Sequence, residues 1–238
     1  MKKYTVSNPS TISPNAIKTM LSLQEQINQR IAPNWRDKQN PWYRAIWTEC
    51  AELMEHHGWK WWKQQTKNQA QICLELVDIW HFGLSDLLQA EPDIHACTET
   101  ILSTLSDLPA PSSTEHAPSS DLFLRQIERL AAHCLSTQRF DLVSFFETMA
   151  HAQLTFDSLF EQYVGKNVLN RFRQDHGYQE GTYQKQWGKY EDNEHLAELF
   201  QQLDFSADDL NEQLYRQLQT RYSMHTDAAL NHASKVAP

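Results

Sequence analysis

The spacing of apolar residues predicts helices along most of the chain. From Pro14 to Ile31, apolar side chains recur every three or four residues and Pro33 closes the segment, which predicts a first helix. A second helix is predicted from Trp42 to His57, because one of its faces is apolar and Gly58 follows as a C-terminal stop. The stretch GWKWWK then interrupts the pattern.

A third segment, from about Thr66 to Leu88, is apolar in nearly every direction around a helix. Its apolar residues are Ile72, Leu74, Leu76, Val77, Ile79, Trp80, Leu84, Leu87 and Leu88. A helix that is apolar all round has to be covered on most sides, so the sequence places this helix in the middle of a bundle.

Residues 106–121, SDLPAPSSTEHAPSSD, are rich in proline and serine and are predicted to form a linker or insertion. Beyond them, helices are predicted at about 121–137 and 140–174, the second of which ends at Gly177. An ordered loop follows, and two shorter helices are predicted at 194–203 and 208–222. The polar tail at 223–238 is predicted to be frayed.

The composition favours one all-α domain. The 238 residues include only 6 glycines and 9 prolines, and the chain is rich in helix-forming residues. A chain of this length is long enough to bury one sizeable core. We therefore predict a single all-α catalytic domain, residues 1–238, folded as a helical bundle.

Charge and cysteine usage exclude several classes of function. The net charge of -9 argues against nucleic acid as a partner, because proteins that bind nucleic acid usually present a basic surface. No apolar run approaches the roughly 20 residues of a membrane span, and the N-terminus lacks the apolar region of a signal peptide, so we expect a cytoplasmic protein. The cysteines, Cys50, Cys73, Cys97 and Cys134, form no CxxC motif, which argues against disulfides and zinc.

Two pairs of carboxylates indicate a metal site. Glu49 and Glu52 lie three residues apart on the second predicted helix, and Glu75 and Asp78 are spaced in the same way on the third. This spacing puts both members of a pair on one helical face. Two such pairs facing each other would repel unless divalent cations lay between them, and oxygen ligands favour Mg²⁺ or Mn²⁺.

Two alternative roles for these carboxylates stay open. The E-x-x-E pattern is common on solvated helices, although a pair that interrupts an apolar helix fits that role less well. A di-iron carboxylate site needs an E-x-x-H pair from each of two helices. The sequence offers only Asp78-x-x-His81, so this second alternative is weak.

A basic stripe follows much later in the chain. Lys166, Asn170 and Arg173 share one face of a predicted helix, and Lys185 and Lys189 come in the following loop. Residues 166–189 hold five Lys or Arg and two acidic residues, which gives a local charge of +3 in an acidic protein. Such a cluster is suited to a polyphosphate, although a solvated basic face is about as common by itself.

Aromatic residues flank the predicted metal site. Trp59, Trp61 and Trp62 offer flat surfaces for a base, although core packing explains one or two of them better. Phe82 lies one turn after Asp78 on the same helical face, where it would adjoin a sugar or simply belong to the core.

Three strings of the sequence carry a family resemblance. They are ECAELMEHHGWKWWK, ELVDIWHF and YVGKNVLNRFRQDHGYQEGTYQKQWGKYEDN. The chain resembles the dimeric all-α dUTPases, which belong to the wider superfamily of all-α NTP pyrophosphatases. The acidic signature is shared by the superfamily, whereas KN-x-LN-x-x-R and GY-x-x-G-x-Y-x-K-x-W are specific to the dUTPase branch. The resemblance spans about residues 20–88 and 160–194.

The resemblance implies a role for each matching residue. Glu49, Glu52, Glu75 and Asp78 would bind Mg²⁺, and one of the glutamates would orient or deprotonate the attacking water. Phe82 would pack on the deoxyribose and reject a 2′-hydroxyl. The uracil contacts would be Gln24, Asn28 and Trp61, with Asn193 as a further base contact. The phosphates would be held by Lys166, Asn170, Arg173, Tyr183, Lys185 and Lys189.

The resemblance implies a homodimer that hydrolyses dUTP to dUMP and pyrophosphate by attack of a metal-activated water, and it adds dUDP as a further candidate substrate. It favours attack at the β-phosphorus, and the residues alone leave the α position open. The first alternative is a related pyrophosphatase that acts on dCTP or another nucleotide. The second alternative is a helical interaction module whose carboxylates have no catalytic role.

Overall fold

The computed structural model describes residues 13–108, 120–200, 202 and 210–236. Most of the linker predicted at 106–121 lies outside these residues. The structure is all-α apart from one two-stranded sheet, as predicted. The elements are α1 (Pro14–Ile31), α2 (Trp42–His57), α3 (Gln69–Ala90), α4 (Ile94–Asp107), α5 (Ser120–Thr137), α6 (Leu142–His151), α7 (Phe156–Asp175), β1 (Gln186–Trp187), β2 (Tyr190–Glu191), α8 (Asp192–Phe200) and α9 (Leu210–Val236).

The bounds of α1 and α2 agree with the sequence prediction, and Gly58 ends α2 in the left-handed conformation with φ 86°. Helix α3 begins at Gln69, later than predicted, because the side chain of Asn68 caps it by accepting a hydrogen bond from the Gln71 amide. The single helix predicted from 140 to 174 is wrong. Gln153, with φ 58°, breaks it into α6 and α7.

Two further differences lie outside the recognisable motifs. The sequence prediction contains no helix at α4, which begins where Asp93 accepts a hydrogen bond from the His95 amide. Helix α9 continues beyond Tyr222 to Val236. The loop predicted after α7 contains the β1–β2 hairpin, in which Trp187 pairs with Tyr190.

The chain divides into two compact units, Met1–Tyr163 and Val164–Pro238. In the first unit, α2 packs against α3 and α5, and α1 packs against α3 and α4. In the second unit, α8 packs against β2 and α9, and α9 also contacts β1. Among the helices that the structure describes, none is long and apolar enough to span a membrane.

Helix α3 is the most buried helix of the first unit, as its all-round apolar pattern predicts. Its residues Ile72, Leu76, Val77, Ile79, Trp80, Leu84 and Leu88 are all 0% exposed. Helices α2 and α3 run antiparallel. Trp42 at the start of α2 hydrogen-bonds Gln89 at the end of α3, whereas His56 at the end of α2 contacts Glu75.

Aromatic residues form the core of the second unit around Phe172, which is 0% exposed. The ring of Phe172 contacts the rings of His176, Tyr183, Trp187, Tyr215 and Tyr222. The Trp187 indole also donates a hydrogen bond to the carbonyl of Gln184. This cluster ties the end of α7, the hairpin and α9 into one packed group.

A glycine in α3 allows an aromatic ring to pack directly on the helix. A Cβ atom at Gly83 would lie 2.5 Å from the ring of Phe140. That ring cannot retreat easily, because it also contacts Trp80 and Phe145. Gly83 is therefore explained by packing in the core.

We expect Gly83→Ala to lower the free energy of unfolding by roughly 1 kcal/mol, because overpacking costs about 1–3 kcal/mol and the gain in helix propensity returns about 1 kcal/mol. Urea unfolding measures this change. Phe140→Leu makes room for the methyl group, so the double variant should lose less stability than the two single variants added together. Simple additivity would contradict the proposed contact.

Candidate active site

Three carboxylates from α2 and α3 meet in the first unit. Each of Glu49, Glu52 and Glu75 offers one oxygen, and these oxygens all lie within 4.8 Å of one another. Glu75 is buried, Glu49 is half-buried and Glu52 is exposed. Asp78, one turn after Glu75, is close enough for its charge to act on Glu49. The antiparallel pairing of α2 and α3 thus brings the two predicted acidic pairs together.

The electrostatics of this cluster are unfavourable without a cation. Burial, the charges of Asp78, Glu75 and Glu52, and a hydrogen bond with Glu75 raise the pKa of Glu49 to about 9. Carboxylates that repel one another in this way are stabilised when a divalent cation binds among them. The donor set consists of hard oxygen ligands, which is the chemistry that Mg²⁺ and Mn²⁺ prefer.

His56 is a member of this site that the sequence analysis missed. Its Nε2 atom lies 3.2 Å from Glu75 Oε1. The hydrogen bond with Glu75 raises the pKa of His56 against the opposing effect of burial. His56 lies four residues after Glu52, which places it on the same face of α2, and this spacing is the signal that identifies it.

Gln24 and Asn28 lie together in a buried polar network under α3. Both residues are 4% exposed. Gln24 Nε2 donates to Asn28 Oδ1 at 3.0 Å and to Ser85 Oγ at 2.8 Å, and Asn28 Nδ2 donates to Ser85 Oγ at 3.0 Å. On the other side, Gln24 Oε1 lies 2.8 Å from His81 Nδ1 and 2.9 Å from the Tyr163 hydroxyl. Gln24 and Asn28, two of the predicted uracil contacts, are therefore linked to each other.

His81 takes part in this network and does not belong to the cluster of Glu49, Glu52 and Glu75. Its ring stacks on that of Tyr163, with centroids 4.2 Å apart. Ser85 falls one turn after His81 on α3, so their pairing is visible in the sequence. Tyr163 comes from a distant helix, and no local pattern points to it.

Phe82 is half-buried and is backed by another aromatic residue. Its ring stacks on Trp42, with centroids 6.3 Å apart and an interplanar angle of 26°. Trp42 is held in turn by Gln89 and by an edge contact with Trp35. Trp61 lies in a different setting, since it is 89% exposed and contacts Trp62.

The second unit gathers several of the predicted phosphate-binding residues. Lys166 is 1% exposed and its Nζ donates to Asn193 Oδ1 at 2.7 Å. Arg173 Nη2 donates to the same oxygen at 3.1 Å, and Arg173 Nη1 donates to Asn170 Oδ1 at 3.2 Å. Four of the predicted residues therefore form one hydrogen-bonded group.

Asp192 is the anion at the centre of this group, and the sequence analysis missed it. Arg173 Nε and Nη2 each donate to its carboxylate at 2.8 Å, and the Tyr183 hydroxyl donates at 2.8 Å. Burial by itself would raise the pKa of Asp192, but the hydrogen bonds and charge of Arg173 outweigh it and lower the pKa. Burial and the charge of Asp192 raise the pKa of Tyr183. The pair therefore keeps an ionised acceptor and a protonated donor.

Lys185 and Lys189 are placed differently from the other basic residues. Both are exposed, and Lys185 Nζ lies 3.1 Å from Glu191 Oε2. Lys189 lines a surface cavity of about 440 Å³ together with Trp187, Tyr190, His195 and Arg221. The structure thus groups Lys166, Asn170, Arg173, Tyr183 and Asn193, and gives the two loop lysines other neighbours.

Comparison with known proteins identifies the family to which these residues belong. The family described as dUTPase matches residues 16–178, which include both acidic pairs and the stretch from Lys166 to Arg173. No curated protein matches the chain. Since the family match covers well over half of the chain, the protein belongs to the all-α dUTPase family and is a dUTP diphosphatase, a nucleotide pyrophosphohydrolase.

Proposed function

We propose that the protein hydrolyses dUTP to dUMP and pyrophosphate in a reaction that depends on Mg²⁺. The observation that carries this proposal is the meeting of Glu49, Glu52 and Glu75, whose oxygens lie within 4.8 Å of one another. A nucleotide with three phosphates brings further oxygen ligands and negative charge, so a cation held there would serve both the protein and the substrate.

Glu49, Glu52, Glu75 and Asp78 would hold the magnesium ions, and Mn²⁺ fits the same donors. When bound, the metal lowers the pKa of water and neutralises the charge that develops as pyrophosphate leaves. A glutamate of the cluster orients the attacking water and accepts its proton.

The phosphate chain would be held by the basic residues of the second unit. Lys166, Asn170 and Arg173 share one face of α7, and the Tyr183 hydroxyl would donate to a phosphate by giving up its hydrogen bond to Asp192. The loop residues Lys185 and Lys189 would add positive charge for a flexible anionic ligand. Direct, in-line attack by water on the phosphate chain needs no covalent intermediate.

Selection of the base and the sugar would rest on other residues. Gln24 and Asn28 carry carboxamides, which can match the donor and acceptor edge of uracil, and Trp61 and Asn193 would complete the base contacts. Phe82 would pack on the deoxyribose, and Trp42 behind it limits the movement of its ring. A 2′-hydroxyl would then meet an apolar surface without a hydrogen-bonding partner.

The family likeness also supports a homodimer in the cytoplasm as the working form, and dUDP as a second substrate. A related activity on dCTP or another nucleotide is the main alternative, because it requires the same acidic ligands and differs only in the base contacts.

The decisive experiment measures pyrophosphate release from dUTP, UTP, dCTP and dTTP, each with Mg²⁺ and with EDTA. We expect dUTP to be hydrolysed fastest and EDTA to abolish the reaction. Faster hydrolysis of dCTP than of dUTP would contradict the proposed substrate and support the alternative activity. Full activity in EDTA would remove the metal from the mechanism.

Glu49→Gln should reduce dUTP hydrolysis by at least about 100-fold, because it removes a metal ligand and a candidate base. The variant should remain folded, since Glu49 is half-buried and glutamine has nearly the same shape. Glu99→Gln, an exposed position on α4, is the control and should retain full activity. Normal activity of Glu49→Gln would contradict the proposed site.

The same variant should behave differently from the wild type in EDTA. The pKa of Glu49 is raised from 4.5 to about 9 by folding, so the folded protein binds the extra proton and loses stability as the pH rises across this range. Glu49→Gln removes that loss. At pH 8–9 its Tm should therefore exceed that of the wild type by at least about 2–4 °C, the shift that roughly 1 kcal/mol produces.

Phe82→Ala should open space beside the sugar and raise kcat/KM for UTP relative to dUTP by about tenfold or more. Steady-state kinetics on both nucleotides measure this ratio. Leu87→Ala, half-buried on the same helix, is the control and should leave the ratio unchanged. If Phe82→Ala is active and its ratio of kcat/KM for UTP to kcat/KM for dUTP equals that of the wild type, Phe82 does not exclude the 2′-hydroxyl.

A further inference from the structure

Asp192 is a fully buried carboxylate that accepts hydrogen bonds from side chains of the second unit. It begins α8 and is 0% exposed. Its two oxygens accept three side-chain hydrogen bonds of 2.8 Å, two from the guanidinium of Arg173 and one from the hydroxyl of Tyr183. A paired fork of this kind fixes both the position and the plane of the guanidinium.

The next residue extends the same arrangement. Asn193 Oδ1 accepts hydrogen bonds from Lys166 Nζ at 2.7 Å and from Arg173 Nη2 at 3.1 Å. The amide of Asp192 donates to the carbonyl of Lys185 at 3.0 Å, which ties the loop to the start of α8. Two adjacent residues therefore determine where the donors of Lys166, Arg173 and Tyr183 lie.

We propose that Asp192 is a positioning residue for the phosphate chain of the substrate, acting through Arg173. This inference rests on the proposed function, in which Arg173 binds phosphate. Asp192 itself does not touch the substrate, since a carboxylate would repel the phosphates. Its role is to hold the guanidinium of Arg173 in one fixed arrangement before the substrate arrives, and the Tyr183 hydroxyl, whose single proton goes to Asp192, helps to hold the carboxylate.

A purely structural role accounts for this arrangement less well. A buried carboxylate–guanidinium pair is costly to desolvate, and an apolar pair of the same size often stabilises a fold as well or better. What the ion pair adds is a defined geometry. The groups that it orders are among the side chains expected at the phosphates, whereas the core of this unit is already supplied by the aromatic cluster around Phe172.

The test uses two ligands that differ in the phosphate chain. One is dUTP with an imido bridge between the α- and β-phosphorus, which is not cleaved, and the other is deoxyuridine. Asp192→Asn keeps the shape of the side chain and removes its charge. Binding of both ligands to the full-length variant is measured in Mg²⁺, together with its unfolding temperature and the kcat and KM for dUTP.

We expect Asp192→Asn to weaken binding of the imido nucleotide by at least about tenfold, which is the factor that a charge-assisted hydrogen bond contributes, and to raise KM for dUTP similarly. Deoxyuridine should bind as to the wild type. Asp175→Asn is the matched control. The Asp175 carboxylate also accepts a hydrogen bond from a tyrosine hydroxyl, that of Tyr215 at 2.8 Å, but it does not belong to the hydrogen-bonded group around Asp192.

Two results would overturn the proposal. One is unchanged binding of the imido nucleotide by folded Asp192→Asn, and the other is an equal loss for both ligands in step with a loss of folded protein. If Asp192→Asn does not fold, Asp192→Glu, which keeps the charge and displaces it by one methylene, is judged by the same criteria. If the wild type itself neither binds the imido nucleotide nor hydrolyses dUTP, the proposed function is the one that fails.

Discussion

Mutual repulsion among the carboxylates of α2 and α3 is the constraint around which the first unit is organised. Glu49, Glu52 and Glu75 are forced together because the apolar faces of the two helices pack against each other in antiparallel fashion. The burial of α3 supplies the free energy that offsets this repulsion. The repulsion is expressed as a raised pKa of Glu49, and a divalent cation bound among the carboxylates would reduce it.

The second unit contains the opposite arrangement of charge. Several cationic and donor groups lie close together there, and one buried carboxylate, Asp192, holds them in place. Asp192 balances the charge of Arg173 and gives Tyr183 an acceptor, while the neighbouring Asn193 does the same for Lys166. A cluster of donors can be rigid in this way only if an internal acceptor replaces the water that would otherwise solvate it.

The sequence predicted those features that depend on periodicity along a single helix. The bounds of α1 and α2, the central position of α3 and the facing of Glu49 with Glu75 follow from spacings of three, four and seven residues. The break between α6 and α7 was not predicted, because Gln153 adopts a left-handed conformation that is not typical of glutamine. Tyr163 and Asp192 were missed because their partners come from other elements.

The hydrogen-bond network around Gln24 limits how this residue could contact a base. The Gln24 carboxamide already has neighbours on both sides, with His81 and Tyr163 at its oxygen and Asn28 and Ser85 at its nitrogen. A direct contact between Gln24 and uracil therefore requires that one of these hydrogen bonds be given up, at a cost of roughly 1 kcal/mol or more. Gln24 is better placed to orient the carboxamide of Asn28. Among the described side chains, Ser85 Oγ accepts one hydrogen bond from Asn28 Nδ2, which leaves the second N–H group of that amide for the base that we propose to bind there.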